Sequence, residues 1–166
     1  MTAIFTGPND EYRVRLERDV DGLFGTTTAA LIGVNPSTAD ATANDQTIRK
    51  DMGFARLHGW RRIIKGNKFG FRATDVRELA QAADPIGPET DLYLEQIIRD
   101  ADIVVACWGR LGKLPARLRD RWRDVAAIAD NVGKPLYCLG TADDGHPLHT
   151  LTLPYSARLQ LWNPPA

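Results

Sequence analysis

Residues 12–18 alternate polar and apolar side chains, the period of a strand with one covered face. Asp21-Gly22 then signals a turn. Residues 28–34 form a continuous apolar run, which suits a strand buried on both faces. A helix is expected next. Asn44 or Asp45 can cap it, Ile48, Met52 and Ala55 recur at helical spacing, and Gly59 can stop it. Residues 62–65 read as a short strand ending at Gly66-Asn67-Lys68-Phe69, and a long loop leads to Gly87-Pro88. Pro88 opens a helix carrying Leu92, Gln96, Ile97 and Ala101. Residues 103–107 form another buried strand, followed by a helix from about Leu114 through Leu118, Trp122, Val125 and Ala129 to Gly133. Residues 135–139 give a last strand, ending in the loop 140–147.

This β-α-β-α-β-α-β order behind an antiparallel element predicts an α/β fold. The expected form is a three-layer α/β/α sandwich with a four-stranded, mostly parallel sheet and an added N-terminal antiparallel element. No repeat, linker or composition shift divides residues 1–166, so a single domain is expected. Open parallel sheets bind ligands beyond the carboxyl ends of their strands. Asn35-Pro36-Ser37, Gly66-Asn67-Lys68-Phe69, Trp108-Gly109 and the loop 140–147 each follow a strand, so all four are expected at one edge.

Composition excludes several classes. With 43% apolar and 25% charged residues in a chain of 166, disorder, collagen and coiled coil are disfavoured. The longest apolar run, residues 103–108, is far short of the roughly twenty residues that cross a membrane. No signal-peptide pattern opens the chain. Cys107 and Cys138 lie in apolar stretches, which suggests reduced thiols and a cytoplasmic protein. Two cysteines and three histidines show no metal-ligand spacing, so neither metal nor cofactor is expected. Net charge is zero but segregated. Residues 49–72 carry eight basic groups against Asp51, and residues 110–124 carry six against Asp120 and Asp124. That pattern builds either a positive face or ordinary solvated helix faces.

GxGxxG, Walker A and Gly-x-Ser-x-Gly motifs are missing. Asn35, Asn67, His146 and His149 gather instead, with Asp40 and Asp45 nearby in sequence. Amides and an imidazole suit hydrogen bonding to a polar planar ring. Each residue also has a structural alternative: Asn35 and Asn67 as turn residues, Asp45 as a helix cap, Trp108 as packing.

Gly33-Val34-Asn35-Pro36-Ser37, Asn67, the apolar strand ending at Trp108-Gly109, and His146-Pro147-Leu148-His149 resemble, in the same order, four motifs of the uracil-DNA glycosylase superfamily. The chain resembles more closely an uncharacterised family, domain of unknown function 1643. The resemblance rests on Asn35-Pro36-Ser37-Thr38-Ala39-Asp40, Asn44-Asp45-Gln46-Thr47-Ile48-Arg49, Phe71-Arg72-Ala73-Thr74-Asp75, residues 83–88, Trp108-Gly109 and Asp144-Gly145-His146-Pro147. The glycosylase resemblance implies a base flipped into a pocket and N-glycosidic hydrolysis. Asn35 would hold the attacking water and His146 would stabilise the leaving base. The segment Asn44–Arg49 has no counterpart in the glycosylases and offers a different site in which Asp45, a further catalytic candidate, or Arg49 takes a role. Asn67 would read the base edge and Phe69 or Phe54 would stack on it; Pro36, Ser37, Trp108, His149, Arg49 and Arg72 complete the expected binding site. Lys65, Lys68 and Arg110 would contact phosphates.

Departures accompany the likeness. Asn35 replaces an aspartate of the fastest uracil enzymes, which implies slower chemistry. Ser37 replaces a methyl-excluding tyrosine, which implies a more permissive pocket. Thr150 replaces a proline usual in the uncharacterised family, and Leu151 and Leu153 are the only wedge candidates. The expected partner is DNA, single- or double-stranded, or a free nucleotide, and the protein is expected to be a monomer with no membrane contact. A hydrolase or binding protein for free nucleotides or nucleosides, and a catalytically inactive nucleic-acid-binding module, are the two alternatives.

Overall fold

The computed structural model describes residues 1–21, 25–37 and 39–165. The turn expected at Gly22 and the motif position Thr38 lie outside them. Among the described residues, seven strands join one mixed sheet: β1 (Thr2–Thr6), β2 (Tyr12–Asp19), β3 (Thr28–Gly33), β4 (Arg62–Asn67), β5 (Ile103–Ala106), β6 (Leu136–Cys138) and β7 (Gln160–Leu161). The spatial order is β1-β2-β4-β3-β5-β6-β7. Neighbours β4-β3-β5-β6 pair in parallel, while β1-β2, β2-β4 and β6-β7 pair antiparallel. The fold is mixed α/β, and its sheet is wider than the four strands expected. The extra pairings come from β1, whose sequence lacks clear alternation, and from β7, whose two residues are too short to show a period.

Side chains alternate across this sheet and divide the core in two. Ala29, Leu31, Ile63 and Val105 pack against Phe54 and Ala55 of α1 (Gln46–His58). Ala30, Ile32, Ile64 and Val104 meet Leu94, Ile97 and Ile98 of α3 (Thr90–Asp100) on the opposite face. Trp122, Val125 and Ala129 of α4 (Arg121–Val132) join them there. On α3, Leu92, expected on the apolar stripe, points outward. A Cβ on Gly66 would stand 3.1 Å from Ile32 Cδ1 and Leu94 Cδ2, so glycine lets α3 lie close on β4.

Local chemistry sets the helix ends. The Asp45 carboxylate accepts from the Ile48 N–H at 2.8 Å and caps α1, and left-handed Gly59 (φ 70°) closes it. The helix expected from Leu114 begins later, at Arg121. Pro115 separates two 3₁₀ turns there, and Leu114 and Leu118 instead pack with Phe69, Ala73 and Leu79. The segment read as a long loop contains α2 (Val76–Gln81), capped by Asp75. Its six residues carry too short an apolar pattern to register as a helix.

β2 departs from simple alternation. Phe5 pairs with Arg13 and Ile4 with Arg15, so Val14 is unopposed, a β-bulge. Arg13 and Val14 are consequently both buried.

Candidate functional site

β3 and β4 end side by side, and the chain continues their ladder into the loops: Lys68 N–H donates to Gly33 O at 3.0 Å, and Phe69 N–H to Val34 O at 2.9 Å. A cavity of about 250 Å³ opens there. Asn35, Ser37, Asp45, Asn67 and His149, all sequence candidates, line it together with Lys65. The volume lies just below the roughly 300–1,000 Å³ of drug-sized sites, a scale that suits a small polar ligand.

The polar groups have distinct standing. Asn35 donates its amide N–H to Ala73 O at 2.6 Å and Pro36 O at 3.1 Å, which fixes the loop and leaves its carbonyl oxygen for another partner. Asp45 accepts from Ser37 Oγ at 2.5 Å with one oxygen and caps α1 with the other. Burial opposes its ionisation, but those bonds and the nearby cations Arg13 and Lys65 hold its pKa below the usual range. It is a capping carboxylate with both oxygens occupied, poorly suited to act as a base. The Asn67 side-chain amide has no hydrogen-bond partner among the described residues. Its Oδ1 would stand 2.9 Å from a Cβ on Gly33, so glycine at the end of β3 makes room for it.

At the floor, the Lys65 ammonium donates to Asp51 Oδ2 at 2.8 Å and approaches Cys107 Sγ at 3.5 Å. Burial pulls its pKa down, yet Asp51, aided by Cys107, more than reverses this and keeps it charged.

Of the two candidate histidines, the cavity takes His149. The two lie three residues apart on an extended segment held by Ala142 N–H to His146 O and Leu148 N–H to Gly140 O, at 2.8 and 2.9 Å. Odd spacing along extended backbone sends them to opposite sides. His149 Nδ1 accepts from the Leu151 N–H at 3.2 Å. The neutral ring therefore carries its proton on Nε2. Burial first, then Lys65 and Lys113, pushes its pKa down to about 4. The unfolded imidazole takes a proton near 6.5, so this group's stabilising contribution is complete above about pH 6.5 and falls away toward pH 4. An ¹H–¹⁵N titration of the ring should give a midpoint near 4, with the Nε2–H tautomer at pH 7. A midpoint at or above 6 would contradict this environment.

Several expected site residues stand elsewhere. His146, only 3% exposed, packs edge-on to Trp122 at 5.1 Å between ring centres and lies 5.9 Å from Trp162. Trp108 is buried against Trp162, and Phe69 lies in the cluster with Leu79 and Leu118. Pro36 is buried beneath the loop without lining the cavity. Lys68, expected on phosphates, is fully enclosed beside the Trp108 ring, and burial with Arg121 pulls its pKa down to about 7. Lys65 is likewise too buried to meet a duplex backbone. Arg49 and Arg72 are exposed outside the cavity, and Arg110 pairs with Asp143 at 3.2 Å. Arg13, Thr47 and Thr74 line the cavity too; the threonines stand in the family motifs quoted above, but none of the three was expected in the site. Among the described residues no group of His, Cys, Asp and Glu is arranged to hold a metal ion, and no helix is long and apolar enough to cross a membrane.

Fold and site together define a mixed α/β protein with a small polar pocket at the ends of its parallel strands. The chain belongs to the family described as "Protein of unknown function (DUF1643)", which matches residues 13–151. No curated protein and no solved structure matches it.

Proposed function

We propose that this pocket receives a nucleobase and that the protein hydrolyses its N-glycosidic bond, the substrate being a modified or mismatched base in DNA. The observation that carries the reading is the unpartnered Asn67 amide, set over Gly33 in the same cavity as the His149 Nε2–H. The motif resemblance to the uracil-DNA glycosylase superfamily supports it. An amide offers two donors and one acceptor to a base edge. A fixed N–H donor facing a base oxygen stabilises negative charge as the bond breaks. Water held by the Asn35 carbonyl oxygen adds to the sugar carbon, the bonding pair departs with the base, and the water's proton passes to solvent. Leu151, 44% exposed, stands at the cavity rim two residues after His149, where it can support a displaced strand.

A second reading, a free nucleotide as substrate, is favoured by the burial of Lys65 and Lys68, which removes two expected backbone contacts.

Single-turnover base release tests the proposal. Single- and double-stranded oligonucleotides would carry uracil, hypoxanthine, hydroxymethyluracil or a mismatch, with Asn67→Ala alongside. Release is expected from at least one substrate, reduced at least tenfold in Asn67→Ala. Absence of both release and binding across the panel would remove the DNA reading.

A further inference from the structure

Three arginines are buried among the described residues: Arg13, Arg18 and Arg121. A guanidinium carries five N–H donors. Arg18 spends them on Asn44 Oδ1, Glu17 O, Asp40 O and Ala43 O, and so holds the 40–44 loop on β2. Arg121 bonds Lys68 O and the carboxylates of Asp91 and Asp124. Arg13 differs from both. Its side chain has one acceptor among the described residues, Ala39 O, and no carboxylate within 4.0 Å. Yet it is only 3% exposed, and it lines the cavity that holds Asn67 and His149.

The backbone turns this side chain inward. With regular alternation Arg13 would share a face with Arg15 and Glu17. The unopposed Val14 shifts the register by one, and Arg13 joins the face of Leu16, toward α1 and the cavity. Bulges recur beside binding sites for this effect.

We propose that Arg13 is an anion-binding residue of this cavity, which holds a phosphate attached to the ligand whose base occupies the Asn67 and His149 end. A planar fork of donors matches phosphate oxygens, and in a dry setting such bonds are strong. The hydroxyls of Thr47 and Thr74 line the same cavity. Past Ser37, Ala73 and Thr74 it borders an open depression of about 340 Å³ lined by Arg72 but also by Asp10, Glu11 and Glu78, so the sugar has room there while the phosphate stays at Arg13. Asp45, the carboxylate nearest in effect to Arg13, has both oxygens engaged by Ser37 and Ile48. The base half of this assignment rests on the proposed function; the anion half stands on Arg13 alone. A nucleotide monoester and a strand's diester present the same chemistry to the fork.

The test uses the full chain. The melting temperature would be followed in inorganic phosphate and in sodium chloride of equal ionic strength, for the parent protein, Arg13→Gln and Arg13→Lys. Calorimetric titrations would then use deoxyuridine, deoxyinosine, their 5′-monophosphates, and short single strands carrying each base. Phosphate should raise the parent's melting temperature beyond the chloride control, and Arg13→Gln should lose that rise. Monophosphates should bind the parent roughly ten- to a hundredfold tighter than nucleosides. That preference should vanish in Arg13→Gln and survive in part in Arg13→Lys. If Arg13→Gln does not fold, the parent's preference and its retention in Arg13→Lys decide. No phosphate effect and no preference for monophosphates in the parent overturns the assignment, even if nucleosides bind. Phosphate binding without any nucleobase contribution upholds Arg13 and removes the base reading. Strands that bind tighter than monophosphates identify a diester as the source; the reverse identifies a free nucleotide.

Discussion

His149→Ala should lower single-turnover base release by roughly 10²- to 10³-fold, the effect of deleting one donor aimed at developing charge. His146→Ala should leave the chemical step near the parent rate and destabilise the fold instead. The contrast follows from where each ring sits. His149 lines the cavity, its Nδ1 occupied by the Leu151 N–H and its Nε2 without a partner among the described residues. His146 is wedged between Trp122 and Trp162 on the other side of the sheet. Removing it empties the centre of an aromatic cluster, at a cost of about 2–4 kcal/mol. His149→Ala loses only a one-bond cap on the 3₁₀ turn Thr150–Thr152, so its melting temperature should stay close to the parent's. Circular dichroism melts beside single-turnover rates separate the two. Loss of release in a folded His146→Ala protein, with His149→Ala still active, would reverse the assignment.

That contrast marks where sequence reading stopped. The convergence of strand-end segments was legible, because parallel strands carry their loops to one edge. Which residue of each segment faces which side was not resolved. Lys65 and Asn67 share a parity in β4 and reach the cavity; Lys68 and Trp108, just past the ends of β4 and β5, turn toward the face that α4 covers. Counting by twos along β4 would have separated Asn67 from Lys68, and the odd spacing of His146 and His149 already required opposite directions. Arg13 lay beyond such counting. Its inward direction depends on a bulge against β1, and β1 itself was not predicted. The basic segments misled for a related reason: residues 62–69 are strand and strand end, so their lysines are buried rather than spread on a helix surface.

Asp51→Ala should be among the most destabilising single changes, at roughly 3–5 kcal/mol, because it strands a buried ammonium. At about 2–4 °C per kcal/mol for a chain of this size, the melting temperature should fall by roughly 6–20 °C. Asp51 is fully buried on α1, and its Oδ2 holds Lys65 at 2.8 Å. Cys107 cannot take over that charge: burial pushes its thiol up to about 11, so it stays protonated and serves Lys65 as a weak neutral acceptor. The pair need not stabilise the fold relative to an apolar one, since desolvation offsets much of the attraction. Asp51→Leu combined with Lys65→Met should therefore recover most of the stability lost in Asp51→Ala. The double variant then isolates what the ammonium does for the ligand. Lys65 lines the floor of the cavity, and its charge favours any anion bound or formed there. A double variant that folds like the parent but binds or releases bases at least tenfold more weakly assigns the pair to the site. One that folds and acts like the parent reduces it to a packing element beneath Gly33. An Asp51→Ala protein as stable as the parent would mean that water reaches the ammonium, contrary to its burial.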